Sequence, residues 1–209
     1  MKVLITAGAT RNPVDAVRVI TANASGKTGV SVGRALSQRG CEVHVLGSPE
    51  AVLRARAAGL TAEEYGSTTD LMQRMERWVR AEPAGSVVHS AAVGDYRLAD
   101  EQAGKLPSGQ SEVVIRLVPT PKIADRVRGW GCAGAFITFK AAAPLTSDQD
   151  LLRIASAQRL RTGSDWVFAN VLGRLQAGVW LVGETHQVFD DRSDAIAALI
   201  ERLAERAAV

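Results

Sequence analysis

Apolar positions along the chain switch repeatedly between two rhythms, and the switch points mark the elements. Val3–Ile5 is a continuous apolar run of buried-strand length, ended by a glycine turn. From Ser25 to Arg39 the apolar residues recur at helical spacing, and Gly40 stands where a left-handed stop belongs. Glu42–Leu46 returns to a strand pattern. Pro49–Ala58 reads as a short helix with proline in its first turn, and Thr61–Tyr65 as a third strand. Ser67-Thr68-Thr69-Asp70, rich in capping residues, opens a helix through Arg80, and Ser86–Ser90 is a fourth strand. Alternation of this kind predicts βαβ units.

The rhythm breaks after Tyr96. Arg97–Ser111 is polar and aperiodic, with Gly104, Pro107 and Gly109, and a loop of that length inside a compact domain is either functional or mobile. Glu112–Val118 then reads as a strand, Lys122–Arg128 as a helix, Ala133–Phe139 as a strand and Ser147–Arg161 as a helix. Trp166–Ala169 is a strand, Val179–Phe189 a hairpin, and Asp194–Ala207 a last helix with Ser193 as its N-cap. The expected fold is α/β: a doubly wound, Rossmann-like, mostly parallel sheet with a C-terminal antiparallel hairpin. Residues 1–209 are expected to form a single nucleotide-binding domain.

Composition narrows the classes of function. The chain is 46% hydrophobic and 22% charged over 209 residues, a globular balance with length enough for one sizeable core. Its net charge of +3 is interspersed, so it suits a soluble surface or an anionic small molecule and lacks the clustered stripe of a nucleic-acid binder. Cys41 and Cys132 lie far apart with no C-x-x-C, so no disulfide framework is implied. Met1-Lys2-Val3-Leu4-Ile5 is too short for a signal peptide, and no run of 18 apolar residues exists. The expectation is a cytoplasmic protein that binds neither membrane nor nucleic acid.

Four segments carry candidate chemistry. Thr6-Ala7-Gly8-Ala9-Thr10 is a glycine turn at a strand exit, which either lets backbone N–H groups approach a phosphate or simply turns the chain. Asn23-Ala24-Ser25-Gly26-Lys27-Thr28-Gly29 opens the first helix. It offers an anion site through free N–H groups, or a plain cap at Ser25. Gly26-Lys27-Thr28 imitates the end of a Walker A motif, but the required upstream glycine falls on Thr21, which excludes a P-loop. Ser90-Ala91-Ala92-Val93-Gly94-Asp95-Tyr96 leaves room for a flat ring beside a carboxylate that would accept from an amino group, hold a metal, or serve a turn. Gly104-Lys105-Leu106-Pro107-Ser108-Gly109 places a lysine on a glycine-flanked loop, to close over phosphates or to sit in solvent. His44, His89 and His186 form no H-E-x-x-H motif or Cys/His cluster, so no protein-held transition metal is expected. No G-x-S-x-G elbow is present.

In order along the chain these segments resemble the phosphopantothenoylcysteine synthetase family, the C-terminal domain of the DNA/pantothenate metabolism flavoproteins. The matching stretches are Thr6–Arg11 with Asp15-Ala16-Val17-Arg18, then Ala24-Ser25-Gly26-Lys27, Ala91–Arg97 and Lys105–Gly109. Thr120-Pro121-Lys122-Ile123, Phe139-Lys140 and Asp165–Asn170 complete the series. The length and the Lys-x-x-Ser loop are most similar to single-function bacterial members. The resemblance implies a CTP-dependent ligase that joins 4′-phosphopantothenate to cysteine through an acyl-cytidylate, with Mg²⁺ accompanying the nucleotide, and a homodimer. It implies a nucleotide pocket formed by His89, Ala91, Ala92 and Asp95 around the base, and by Pro121, Lys122, Ile123, Ala124 and Phe139 near the ribose. Gly8, Ala9, Ser25 and Gly26, from the glycine turn and the helix start, join this set as nucleotide-binding candidates, and Arg161 stands near a family lysine that precedes the Asp165 strand. Lys105 and Asn23 are the implied catalytic residues.

Three departures from the family pattern stand out. The family asparagine that grips the acyl intermediate falls on Ala22, with Asn23 one place later. Val171 replaces an aspartate, and Thr138 replaces a glycine. They leave open a member diverged to another carboxylate or to nucleotide binding alone. A nicotinamide-dependent reductase is the remaining alternative. Neither Tyr65 nor Tyr96 has a lysine four residues on, and the second strand ends in Gly47-Ser48 rather than a ribose-binding acid.

Overall fold

The computed structural model describes residues 1–100 and 104–207; residues 101–103 of the polar segment and the last two residues lie outside it. The elements run β1 (Lys2–Ala7), β2 (Arg11–Pro13), β3 (Val19–Thr21), α1 (Lys27–Ser37), β4 (Glu42–Gly47), α2 (Pro49–Ala57) and β5 (Thr61–Glu64). They continue as α3 (Thr68–Ala81), β6 (Ser86–His89), β7 (Tyr96–Leu98), β8 (Leu117–Pro119), β9 (Phe136–Ala142), α4 (Asp148–Thr162), β10 (Trp166–Val171), β11 (Val179–Val182), β12 (His186–Phe189) and α5 (Arg192–Ala207).

Eight strands form the main sheet in the order β12-β11-β10-β9-β6-β1-β4-β5. β5, β4, β1, β6, β9 and β10 run parallel, and β11 and β12 close the far edge as an antiparallel hairpin. The doubly wound, mostly parallel fold expected from the alternation is the observed one. Chain order reverses at β1: the chain goes outward to β4 and β5, then crosses back to β6 on β1's other side. That reversal separates the loops after β1 and β6 and leaves a crevice at the strands' C-terminal ends.

Alternation within β1 sets the two faces. Val3, Ile5 and Ala7 pack with α1, α2 and α5, through residues such as Val32, Ala51 and Leu199. Leu4 faces the opposite layer, where Leu71, Met75 and Val79 of α3 meet Ile123, Val127 and Trp130. α4 covers β10 through Leu151 and Ala155, against Val167, Ala169 and Val171. Burial of such side chains contributes about 1.5–3 kcal/mol each, so the sheet core fixes the platform on which the loops stand.

Several expected elements differ. Of Glu112–Val118, only Leu117 and Val118 pair, with β7, in a strand that runs on to Pro119. The apolar residues before Leu117 have no buried face to fill: Val114 is 84% exposed. Lys122–Arg128 is not an α-helix but contributes to two 3₁₀ turns, Ile123–Asp125 and Arg128–Trp130, the second closed by Gly131 in the left-handed region. The strand expected at Ala133–Phe139 starts later and runs to Ala142. Ser25 does not cap α1: Gly26 occupies that position with φ +73° and no side chain caps the helix. Ser193 does not cap α5. Asp191 does, its Oδ1 accepting from the Ser193 N–H at 2.6 Å. The β2–β3 hairpin was not foreseen, because three-residue strands are too short to show a period.

Among the described residues no helix is long and apolar enough to cross a membrane. Cys41 and Cys132 are both buried, with free thiols.

Candidate active site

The crevice owes its shape to unequal strands. His89, the last residue of β6, stands beside Thr138, but β9 runs on to Ala142 without β6 alongside. Beyond β6 the chain turns back along β1's exit instead. Ser90 N–H donates to Thr6 O, Ala92 N–H to Gly8 O at 2.8 Å, and Thr10 N–H to Ala92 O at 3.1 Å. Ala9 and Ala92 thus form a parallel bridge outside the named strands.

A cavity lies on each side of that bridge. On the Ala92 side a cleft of about 330 Å³ holds His89 and Thr138 at its base, with Ala91, Val93 and Phe139 along its walls. Pro121, Lys122, Ile123 and Ala124 form the opposite wall, and α4 contributes Gln158 and Arg161. On the Ala9 side a cavity of about 220 Å³ is lined by Arg11, Thr21, Ala22, Asn23, Ser25 and Glu50, among others. A third cavity, of about 540 Å³, is larger than either. It lies where the strands begin, around Met1, Ser86, Gly134 and Arg206, away from the end where α/β sheets bind ligands.

The expected site residues therefore divide. His89, Ala91, Ala92, Asp95, Pro121, Lys122, Ile123, Ala124, Phe139 and Arg161 all gather at the larger cleft. Ala9, Asn23 and Ser25 line the smaller cavity. Gly8 and Gly26 lie against each other behind them: a Cβ on Gly26 would stand 2.9 Å from the Gly8 nitrogen. Lys105 is exposed and lines neither cavity.

A buried polar net holds the loops rigid. Thr10 Oγ1 accepts from the Gly94 N–H at 2.8 Å, and Thr68 Oγ1 lies 3.2 Å from Thr10 Oγ1. Asn12 accepts from the Thr68 N–H and donates to Tyr96 O, while the Thr120 hydroxyl donates to Gly94 O at 2.6 Å. Each bond in such a net adds about 1 kcal/mol, and breaking one strands a buried group. None of these residues touches the reacting centre by type alone, which is why Asn12 and Thr68 escaped the sequence reading.

At the base of the cleft, His89 Nδ1 lies 2.8 Å from Thr6 Oγ1, which itself accepts from the Ala91 N–H. When the Thr6 hydroxyl donates to Nδ1, Nε2 carries the N–H that can donate; in the other tautomer Nδ1–H donates to Oγ1, which has lone pairs for both it and the Ala91 N–H. Burial pushes the His89 pKa down to about 4, so the ring is neutral at ordinary pH. An unfolded histidine protonates near pH 6.5, so stability contributed by the neutral ring is complete above that value and is lost as pH falls toward 4. The wild-type protein is expected to lose roughly 3 kcal/mol from this group over that window, at about 1.4 kcal/mol per unit. Melting temperatures at pH 7, 5.5 and 4.5 check it: a His89→Gln variant should show a shallower fall, and parallel curves would sink the assignment.

Asp95 meets Lys122, whose Nζ donates to Oδ1 at 2.5 Å, and Arg161 pairs with Asp125; both pairs stand at the mouth. Asp95 is therefore neither a lone acceptor nor a bare metal ligand. Gln158 was missed by the sequence reading. Its Nε2 donates to Thr138 Oγ1 at 3.0 Å and to Phe139 O at 3.2 Å. A carbonyl can only accept, so the amide orientation is fixed and Oε1 remains as an acceptor with no donor on it among the described residues. The signal was the i, i+3 spacing of Gln158 and Arg161, which puts both on one face of α4. Behind Phe139, the Phe168 ring stacks at 4.9 Å, and the Arg192 guanidinium lies 5.0 Å from the Phe168 centroid while bonding Thr28 Oγ1.

Among the described residues no group of three or more His, Cys, Asp and Glu side chains is arranged to hold a metal ion. The arrangement combines a cleft, a helix start without a side-chain cap, and two ion pairs at the rim.

Known proteins place this architecture. The chain is 36% identical over 185 residues to the coenzyme A biosynthesis bifunctional protein CoaBC of Thermococcus kodakarensis, covering 87% of this chain and 45% of that protein. The protein of the same name from Mycolicibacterium smegmatis is 36% identical over 183 residues, covering 85% and 44%. This chain thus spans under half the length of these curated relatives. The crystal structure of the DNA/pantothenate metabolism flavoprotein from Streptococcus pneumoniae superposes with a TM-score of 0.83 at 25% identity, covering 97% of this chain and 98% of that one. Residues 1–201 match the profile described as the DNA/pantothenate metabolism flavoprotein C-terminal domain. With that match over nearly its whole length, the chain belongs to this family, the phosphopantothenoylcysteine synthetase family that its motifs resemble.

Proposed function

We propose that the protein is a ligase joining 4′-phosphopantothenate to cysteine at the expense of CTP, through an acyl-cytidylate. What supports this is the convergence of ten expected site residues on one cleft at the switch point, in a chain of this family. The substrate carboxylate oxygen attacks the α-phosphorus of CTP, the bond to the bridging oxygen breaks, and pyrophosphate leaves. The cysteine amine then attacks the acyl carbon and CMP departs, leaving an amide. Such chemistry needs alignment and charge neutralisation more than a strong base.

In this reading the base enters the larger cleft, where Gln158 Oε1 and the Asp95–Lys122 pair meet its amino edge and His89 Nε2–H donates to it. The phosphates lie toward Gly8, Gly26 and the α1 N-terminus, and Lys105 neutralises them as a point charge. The acyl substrate takes the smaller cavity beside Ala22 and Asn23. Mg²⁺ arrives on the nucleotide phosphates, because Asp95 and Asp125 are already paired with cations. Residues 1–209 act as one unit, as a cytoplasmic homodimer; exposed Val113, Val114, Ile115 and Leu117 supply apolar surface for a second copy. The test is pyrophosphate release with CTP and 4′-phosphopantothenate, cysteine being added second. Release that is absent with CTP and every other nucleoside triphosphate would refute a ligase.

A second reading, a member diverged toward another carboxylate, is favoured by one observation: both Ala22 and Asn23 line the smaller cavity, yet both are exposed, and neither side chain makes a hydrogen bond among the described residues. Side chains one residue apart point differently, so Asn23 does not simply replace the family amide. Ala22→Asn is expected to raise acyl-cytidylate formation about tenfold, part of the effect of one donor at a reacting carbonyl. Asn23→Ala should change little. Single-turnover rates decide it, and a rate abolished by Asn23→Ala would overturn the expectation.

A further inference from the structure

The β2–β3 hairpin ends in a turn organised by one carboxylate. Val14 N–H donates to Arg18 O at 2.8 Å, closing the turn. Asp15 Oδ1 accepts from the Val17 N–H at 2.8 Å and from the Arg18 N–H at 2.7 Å. Its Oδ2 accepts from Arg18 Nη1 at 2.5 Å and from a fourth donor that is not local: the Leu106 N–H, at 3.0 Å and 91 positions along the chain. On the other side of Lys105, Gly104 O accepts from the Ala16 N–H at 3.5 Å. Both neighbours of Lys105 are thus tied to the same hairpin tip, and the Asp15 side chain is fully covered. The base of that hairpin, Arg11 and Thr21, lines the smaller cavity.

We propose that Asp15 is a positioning residue for Lys105: its carboxylate clamps the backbone beside that lysine to the hairpin and so fixes where the ammonium stands relative to the smaller cavity. The inference rests on the role given to Lys105 above. A buried carboxylate used only to shape a turn would need its two local N–H partners and nothing more. Oδ2 reaches instead to the polar segment, 91 positions away in sequence. Ionised, that oxygen holds a backbone donor more strongly than a neutral acceptor would.

Asp15→Asn separates the two jobs. The amide oxygen still serves the Val17 and Arg18 N–H groups, but the amide nitrogen has no lone pair for the Leu106 N–H or for the Arg18 guanidinium, an exchange-silent side-chain contact. Hydrogen exchange should show the Leu106 amide slowed in the wild type and faster in the variant, with the Val17 and Arg18 amides unchanged. Pyrophosphate release should fall about tenfold or more in Asp15→Asn, the scale of a small displacement of a reacting group. In a Lys105→Ala background the same substitution should cause no further fall, because neighbours that act as a unit are not additive. Equal falls in both backgrounds, or equal Leu106 exchange in both proteins, would overturn the proposal. If the wild type releases no pyrophosphate, the ligase reading fails on its own, and the exchange measurement still decides whether the clamp exists.

Discussion

Replacing Gly26 with alanine is expected to abolish nucleotide binding and to lower the melting temperature together. Gly26 sits at φ +73°, a conformation that costs an L-residue about 1–2 kcal/mol. Its missing Cβ matters as much. A methyl there would stand 2.6 Å from Ala51 Cβ and 2.9 Å from the Gly8 nitrogen. Both obstacles belong to fixed elements, the buried first turn of α2 and the backbone leaving β1, so neither can rotate aside. The start of α1 must move away from Gly8, and with it the unpaired N–H groups that would meet the phosphates. A total cost of about 3 kcal/mol would lower the melting temperature by roughly 6–12 °C in a protein of this size. Calorimetry and CTP titration on the same preparation read both effects. An unchanged melting temperature with wild-type affinity would mean that the helix start is neither strained nor near the ligand.

Lys105→Ala is expected to separate catalysis from stability. The side chain is exposed, and among the described residues it makes no hydrogen bond or ion pair, so the melting temperature should move by less than about 1 °C. Its ammonium has work only when phosphates are present, where negative charge accumulates as pyrophosphate departs. Loss of one such group at a developing charge lowers the rate on the order of 10²–10³-fold. Lys105→Arg should recover only part of this, since a planar fork and a compact point charge meet phosphate oxygens differently. Rapid-quench measurement of acyl-cytidylate is the direct check. Equal rates in wild type and Lys105→Ala would remove the lysine from the site and, with it, the purpose of the Asp15 clamp.

Much of this architecture is legible in the sequence because burial is periodic. Val3, Ile5 and Ala7 declare one face of β1, while Leu4 declares the other, and the small-residue turns after β1 and β6 mark the crevice. Legibility fails where partners are distant. Val113-Val114-Ile115 has the composition of a strand, yet nothing among the described residues pairs with it. Lys122–Arg128 has helical spacing, but Pro121 before it and the left-handed Gly131 after it leave room only for tight turns. The caps misled for a similar reason: Ser25 and Ser193 are capping residues by type, whereas Gly26 and Asp191 hold the geometry. Gln158 was invisible because an amide acquires meaning only through the two acceptors that orient it.

The bridge between Ala9 and Ala92 rests on two main-chain bonds, Ala92 N–H to Gly8 O and Thr10 N–H to Ala92 O, so neither is lost when a side chain lining either cavity is exchanged. The departures from the family pattern fall on both sides of it, Ala22 and Asn23 at the smaller cavity and Thr138 at the base of the larger cleft, so a divider of this kind tolerates exchange in either compartment.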